Sequence, residues 1–241
     1  TRNVRLAPYH TALKKLGGHF FGSVGWERPQ WYESNARLLP QYADQIPPRE
    51  GWEAMYWSPI QGAEHLATRE DVGLFELSSF VKIEVSGSGA AEYLEYISAN
   101  KVARGVGKVV YTSMFTDFGG IKTDLTVTRM AKDRFWILTG GGSGMTDLYW
   151  LRSNAPSDDS VNVEDISSKY TAVGLWGPKA RDVLQSVCEQ DVSNKAFPYF
   201  TAQNIMIETI PAVAVRISYV GELGWELHMP RDSAEILYDA L

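Results

Sequence analysis

Short runs that alternate apolar and polar residues are the main pattern of the chain from about residue 60 onward. Residues 80–86, with the sequence FVKIEVS, show the alternation clearly, and it is typical of a strand with one buried face. Segments with apolar residues at helical spacing lie between such runs, as in residues 90–99 and 145–152. The pattern therefore predicts short helices that alternate with groups of strands.

The predicted elements cover most of the chain. Helices are expected over residues 7–16, 61–69, 90–99, 145–152, 178–187 and 233–241. Strands are expected over residues 80–86, 108–115, 121–129, 135–139, 172–176, 200–210, 213–219 and 225–229. Groups of strands separated by single helices indicate the α+β class, with helices covering antiparallel sheets.

A weak internal repeat divides this region into two units. A strand is followed by the pattern Gly-x-x-Ala-x-x-x-Leu from Gly87 and again, 90 residues later, from Gly177. A helix and then a group of strands follow both copies, which predicts two related units. The alternative is coincidence, because a strand, a glycine turn and a helix often follow one another in unrelated proteins.

The first 50 residues differ in pattern from the rest. Aromatic residues and turn formers follow the first predicted helix without a clear period, and Pro47-Pro48 can continue neither a helix nor a central strand. We therefore interpret residues 1–50 as a linker or docking segment and residues 51–241 as the main domain. The chain lacks an initial Met and stops inside its last predicted helix, so we expect it to be a segment of a longer protein.

Composition excludes several classes of protein. The 241 residues are 44% hydrophobic and 22% charged, as in globular domains. A net charge of −6, with no block of Lys or Arg, argues against nucleic acid and anionic membrane partners, and no apolar run is long enough for a transmembrane helix. Cys188 is the only cysteine, so the chain has no internal disulfide. A reducing compartment is expected: the cytoplasm, or the mitochondrial matrix of a eukaryote.

Few residues indicate chemistry by themselves. The four histidines lack the spacing of metal ligands, so no metal site is predicted. Two predicted hairpins are more informative. Asp124 follows a Gly-Gly turn inside a strand-forming run, where Asp is rare, and Tyr219 and Glu226 flank a second turn. The alternative for both carboxylates is a solvent-exposed position on a strand face.

Five motifs follow one another along the chain: Asp71-Val-Gly-Leu-Phe-Glu-Leu-Ser78, Val85-Ser-Gly, Gly119-Gly120-Ile-x-x-Asp124-Leu, Gly177-Pro-x-Ala180-Arg181 and Tyr219-x-Gly-Glu-x-Gly-x-Glu226. Their sequences and order resemble the aminomethyltransferase (glycine-cleavage T-protein) family. Together they span about residues 50–241. The N-terminal segment from Leu6 to Trp31 resembles a narrower branch, the folate domains of dimethylglycine and sarcosine dehydrogenases and oxidases.

The resemblance implies a fold and two cofactors. The family folds as three subdomains around a tetrahydrofolate site, and the two units of this chain match the first two. The third unit, a small C-terminal barrel, is missing here and is expected after residue 241. FAD belongs to a domain expected before residue 1, because this chain has no dinucleotide-binding fingerprint.

The resemblance also assigns the site residues. Asp124 matches the family's catalytic, folate-contacting aspartate. Tyr111 and Tyr219 match tyrosines that contact the folate rings, and Glu226 matches the carboxylate that holds the pterin. Thr139 stands where the family commonly has a folate-site Asn, with one hydrogen-bond donor fewer.

Three functions remain open at this point. The leading expectation is a tetrahydrofolate-dependent one-carbon transfer domain of an enzyme that oxidises an N-methyl amino acid such as dimethylglycine or sarcosine, forming 5,10-methylenetetrahydrofolate. Its partners would be folate, a small methylamine-derived one-carbon substrate and the upstream FAD domain. The alternatives are a non-catalytic regulatory module with the same fold and a free-standing aminomethyltransferase. Two departures from the family pattern favour the non-catalytic module: Thr123 precedes Asp124 where the family usually has a second acidic residue, and Thr139 replaces the Asn.

Overall fold

A computed structural model describes residues 2–241, and its helices and strands fall into three successive groups. The N-terminal group contains α1 (His10–Lys15), β1 (Gly18–Ser23), β2 (Trp26–Tyr32), α2 (Leu39–Tyr42) and α3 (Pro59–Glu70). The middle group contains β3 (Gly73–Glu76), β4 (Val81–Ser86), α4 (Ala90–Ile97), β5 (Val109–Phe115), β6 (Ile121–Ala131), β7 (Arg134–Thr139) and α5 (Gly144–Ser153). The C-terminal group contains β8 (Asn162–Asp165), β9 (Tyr170–Trp176), α6 (Ala180–Val187), β10 (Thr201–Ile207), β11 (Ile210–Arg216), β12 (Gly224–Pro230) and α7 (Ala234–Ala240). Short 3₁₀ helices span Glu33–Leu38, Ala43–Gln45, Gly51–Ala54 and Arg231–Ser233.

The strands of the middle and C-terminal groups form two antiparallel sheets. Sheet 1 has the strand order β5-β6-β7-β4-β8, and sheet 2 has the order β10-β11-β12-β9-β3. The two sheets exchange an edge strand, because β3 precedes β4 in the chain but pairs with β9, while β8 precedes β9 but pairs with β4. The two units predicted from the internal repeat are therefore present, and the α+β class is confirmed.

Most predicted elements are confirmed, with differences at their ends. Helix α3 begins two residues earlier than expected, because Ser58 and Gln61 form a capping box around Pro59 at the first helical position. The prediction of one strand over residues 200–210 is wrong. This segment contains β10, the start of β11 and a turn at Glu208, whose φ of 49° is rare for a residue other than glycine.

Helices cover the outer face of each sheet. Helices α4 and α5 lie on sheet 1, whose outer core includes Ile83, Leu94 and Phe135. Helices α6 and α7 lie on sheet 2, whose outer core includes Leu184 and Trp225. No helix among residues 2–241 is both long and apolar enough to cross a membrane.

The N-terminal group shares the core of sheet 2. Tyr9 is fully buried there, its ring stacks on Tyr238, and its hydroxyl donates a hydrogen bond to the carbonyl of Ala172 at 2.8 Å. Residues on both sides of position 50 therefore pack together, and a separate role for residues 1–50 stays a prediction.

The inner faces of the two sheets lie against each other. Trp136 of β7 contacts Tyr170 and His228 of sheet 2 edge to face, with ring centroids 4.7 and 6.2 Å apart. Val109 of β5 packs against Val215 of β11 at one end of this interface. Polar side chains, some buried and some exposed, lie along this interface and at its edge, and they form the candidate site.

Candidate functional site

Tyr111 and Asp124 form a hydrogen-bonded pair on the β5–β6 hairpin. Tyr111 lies opposite Thr126 and Asp124 lies opposite Ser113, so the pair is diagonal across the two strands on one face. The Tyr111 hydroxyl donates to Oδ2 of Asp124 at 2.5 Å. This hydrogen bond raises the pKa of Tyr111 above its ordinary value, so the phenol keeps its proton and remains a donor at neutral pH.

The alternation of β6 explains why an aspartate lies within a strand. Leu125 and Val127 point into the outer core of sheet 1. Asp124 therefore points to the inner face, and it is exposed there, near the turn of the hairpin. A carboxylate at this position meets solvent and sheet 2 but not the outer hydrophobic core.

Tyr219 and Glu226 approach the same region from sheet 2. Tyr219 lies in the connection between β11 and β12, and Glu226 lies on β12 between Val215 of β11 and Gly174 of β9. Although Tyr219 is 59% exposed, its pKa is raised, first by desolvation and then by Glu226, Tyr111 and Asp124. Tyr219 therefore lies within electrostatic reach of the other three predicted side chains.

Two cavities flank this group of side chains. One, of about 600 Å³, is lined by Tyr111 together with Lys108 and Phe200. The other, of about 540 Å³, is lined by Tyr219 together with Trp176. Both volumes are within the range of small-molecule sites, and each cavity is lined by one of the two tyrosines.

Glu226 is the buried carboxylate of the group. It is 4% exposed, and its Oε2 lies 3.2 Å from Nε2 of His228. Burial lowers the pKa of His228, so the imidazole is neutral at pH 7. The tautomer with its proton on Nε2 donates to Glu226, so the direct partner of this buried side chain is an uncharged hydrogen-bond donor.

Thr139 is not brought together with the other predicted residues. Its hydroxyl donates to Oδ2 of Asp147 at 2.5 Å, and Thr123 donates to the same oxygen at 3.0 Å. Asp147 belongs to α5 and is 1% exposed, so this cluster lies on the outer face of sheet 1, opposite Asp124. The cluster connects the ends of β6 and β7 to the helix.

Neither Asp147 nor Lys82 was predicted from the sequence as part of a site. Lys82 occupies a polar position of the β4 alternation, which predicts exposure, yet sheet 2 covers that face and leaves the side chain fully buried. The alternation assigned Lys82 to the correct face, but it contained no signal that a second sheet packs there.

Two edge-exchanging sheets with carboxylates at their junction define a domain of the aminomethyltransferase fold. The chain belongs to the family described as the GCVT N-terminal domain, whose model matches residues 9–241. This match confirms the family resemblance deduced from the motifs.

Curated relatives are similar over nearly the whole chain. Mouse dimethylglycine dehydrogenase, a mitochondrial protein, is 32% identical over 234 residues, which are 97% of this chain and 26% of the relative. The 4-methylaminobutanoate oxidase (formaldehyde-forming) of Paenarthrobacter nicotinovorans is 34% identical over 240 residues, or 100% of this chain and 28% of the relative. The chain thus spans about a quarter of the length of the curated relatives it matches.

A solved structure shares the fold. The glycine cleavage system aminomethyltransferase T from Bartonella henselae superposes with a TM-score of 0.77 at 23% identity, covering 99% of this chain and 57% of that structure. The predicted fold class is confirmed by this likeness together with the family match.

Proposed function

We propose that the chain binds tetrahydrofolate at the junction of its two sheets and transfers a one-carbon unit onto it. The observation that supports this proposal is the approach of Asp124 and Glu226, from two different sheets, to Tyr219. Membership in the GCVT N-terminal domain family supports the same reaction class.

The residues of the site fit a reduced folate. A pterin edge presents an N–H and an amino group side by side, and one carboxylate accepts hydrogen bonds from both. Glu226 offers such a carboxylate in a buried position, where hydrogen bonds to charge are strong. The rings of Tyr111 and Tyr219 offer flat surfaces for stacking, and 47% of Tyr111 is exposed to receive a ligand.

Asp124 is the proposed catalytic residue. Bound tetrahydrofolate supplies the nitrogen atoms that accept the one-carbon unit. Asp124 would stabilise the positive charge that develops at the attacking nitrogen and accept its proton, which contributes ~10²–10⁴-fold in general-base catalysis. Tyr111 donates to Oδ2 and so holds one oxygen of the carboxylate in place.

We further propose that the domain is part of an FAD-dependent enzyme that oxidises an N-methyl amino acid such as dimethylglycine or sarcosine. The names of the relatives support this parent activity, since one dehydrogenates dimethylglycine and another oxidises 4-methylaminobutanoate. FAD would be bound outside this chain. The product would be 5,10-methylenetetrahydrofolate, formed from the carbon that the oxidation releases.

Titration of the full-length protein with tetrahydrofolate, followed by calorimetry, tests the binding proposal. We expect saturable binding that Glu226→Gln weakens by at least about tenfold, because a neutral amide cannot accept both pterin hydrogen bonds. Glu235→Gln, an exposed carboxylate on α7, is the matched control. Absence of saturable binding in the wild type, or equal affinity in Glu226→Gln, would contradict the proposal.

A non-catalytic module is the second candidate function. Thr139, in place of the family's Asn, lies in the Asp147 cluster and away from Asp124, which favours this candidate. Incubation of the intact protein with tetrahydrofolate and [¹³C]methyl-labelled dimethylglycine or sarcosine, followed by mass spectrometry, distinguishes the two candidates. If labelled methylenetetrahydrofolate forms faster than it does from free formaldehyde, the non-catalytic module is excluded. A free-standing aminomethyltransferase would leave both amines unoxidised.

A further inference from the structure

We propose that the cavity of about 540 Å³ beside Tyr219 binds a small alkylammonium ion. The Glu222 carboxylate faces the positive charge of this ligand, and the rings of Phe75 and Trp176 contact its carbon atoms. The inference goes beyond the proposed function, with which it shares only the Tyr219 side chain. It also gives a role to Glu222, a residue of the last sequence motif that the proposed folate chemistry does not use.

The aromatic wall of the cavity lies at one edge of sheet 2. Phe75 of β3 and Trp176 of β9 lie on paired strands, with ring centroids 5.5 Å apart and ring planes inclined at 56°. The indole N–H of Trp176 donates to the carbonyl of Ile217 at 2.9 Å, which fixes the orientation of its ring. Phe75 is 40% exposed and accessible from the cavity. Two inclined rings form a corner that attracts an alkylammonium ion by cation–π interaction.

Glu222 supplies a negative charge to the same cavity. Its Oε2 is shielded from solvent and has no hydrogen-bond partner, and a carboxylate oxygen lacks only a donor or a cation. Among residues 2–241, no Lys, Arg or His forms an ion pair with this carboxylate. Because water does not screen Oε2, its charge acts strongly on a cation in the adjoining cavity.

Backbone hydrogen bonds hold Glu222 in place on both sides. The hydroxyl oxygen of Ser218 accepts a hydrogen bond from the N–H of Gly221 at 2.8 Å. The carbonyl of Leu223 accepts one from the N–H of Gly177 at 2.9 Å. These bonds fix the connection between β11 and β12, so the carboxylate and the aromatic corner are preorganised for a ligand.

The other polar groups of the cavity favour an organic cation over a metal ion. Glu64 is already satisfied, since its Oε1 accepts hydrogen bonds from the backbone N–H of Tyr32 at 2.9 Å and from the amide of Asn35 at 2.8 Å. In the part of the chain that the structure describes, no three His, Cys, Asp or Glu side chains are grouped to hold a metal ion. One free carboxylate beside aromatic rings instead suits a bulky, weakly hydrated ammonium ion.

Titration of the full-length protein with choline, followed by saturation-transfer NMR of its trimethylammonium signal, tests this inference. We expect saturable binding at millimolar concentrations. The neutral compound 3,3-dimethyl-1-butanol has the same shape, and it should bind at least about tenfold more weakly. The alcohol keeps the apolar contacts but loses the attraction of its charge to the ring faces and to Glu222.

Two variants show whether this cavity is the site. Glu222→Gln and Phe75→Leu should each weaken choline binding by at least about fivefold, while Glu222→Gln leaves the affinity for the alcohol within about twofold. The matched controls are Glu92→Gln and Tyr96→Leu, an exposed carboxylate and an exposed ring on α4, which covers the other sheet. Both controls should keep the wild-type affinity for choline.

Three results would overturn the inference. They are absence of saturable choline binding in the wild type, equal affinity for choline and the neutral alcohol, and unchanged choline affinity in Glu222→Gln. A titration with tetrahydrofolate keeps the two proposals apart. A protein that binds tetrahydrofolate but not choline refutes only the cation site, and one that binds choline but not tetrahydrofolate refutes only the proposed function.

Discussion

Gly87 and Gly177, 90 residues apart in the chain, make the same contact with exchanged partners. A Cβ atom on Gly87 would lie 2.2 Å from the carbonyl oxygen of Ser160, just before β8. A Cβ atom on Gly177 would lie 2.3 Å from the carbonyl oxygen of Asp71, just before β3. Each glycine thus leaves room for the chain segment that leads into the edge strand of its own sheet, a strand that comes from the other group of the chain, and this gives the sequence repeat its physical reason.

Replacement of either glycine should destabilise the fold. Gly177→Ala introduces a backbone clash at a φ of 136°, and we expect the free energy of unfolding to fall by about 3 kcal/mol or more. Gly25→Ala is the control, because Gly25 also has a positive φ of 81° but no atom within 4 Å of the added Cβ, so a loss of about 1 kcal/mol is expected. Urea denaturation of both variants measures the difference, and equal losses would refute the exchanged contact.

Removal of the Asp124 carboxylate should impair transfer much more than binding. For Asp124→Asn we expect one-carbon transfer to tetrahydrofolate to fall ~10²–10⁴-fold, with folate affinity changed only several-fold. Tyr111→Phe should show a smaller loss of the same kind, since it removes the hydrogen bond that orients the carboxylate. Single-turnover kinetics measure both, with Asp133→Ala, in the turn after β6, as the control. A proportionate loss of binding and transfer would assign Asp124 to binding alone.

Thr139 should contribute to stability and not to ligand affinity. Thr139→Val leaves the buried Asp147 with one donor fewer, so we expect unfolding to become easier by about 1–3 kcal/mol. Folate affinity should stay within about twofold of wild type, since the hydroxyl faces away from Asp124. Thermal unfolding and calorimetric titration measure the two effects, and a large loss of affinity in a stable variant would place Thr139 in the folate site.

Lys82 should make stability depend on pH in the alkaline range. The unfolded side chain keeps its proton up to about pH 10.4, whereas the folded side chain releases it at about pH 8. The unfolded state then binds more protons between these values, so the free energy of unfolding rises with pH.

Relative to Lys82→Met, wild-type stability should increase by about 2 kcal/mol from pH 8 to pH 9.5. Urea denaturation at both pH values checks this expectation. The measurements stop before pH 10, because above that pH the buried tyrosines also bind protons differently in the folded and unfolded states. A constant difference between the two proteins would show that Lys82 is not desolvated in the fold.

Local sequence patterns predicted most of the secondary structure, but they failed where no residue type marks the backbone conformation. The turn at Glu208 separates two strands with a positive φ and no glycine, so the run over residues 200–210 was predicted as continuous. Strands β3 and β8 were not predicted, since each has four residues and pairs with a strand far away in the chain.

By itself, the sequence determined the α+β class, the two repeated units and the family, because periodicity and motif order are local properties of the chain. The tertiary structure alone decided on which sheet faces Asp124 and Glu226 lie, that Thr139 faces Asp147, and that Lys82 is buried. Periodicity assigns a side chain to one face of a strand, but only the packing of the second sheet decides what that face meets.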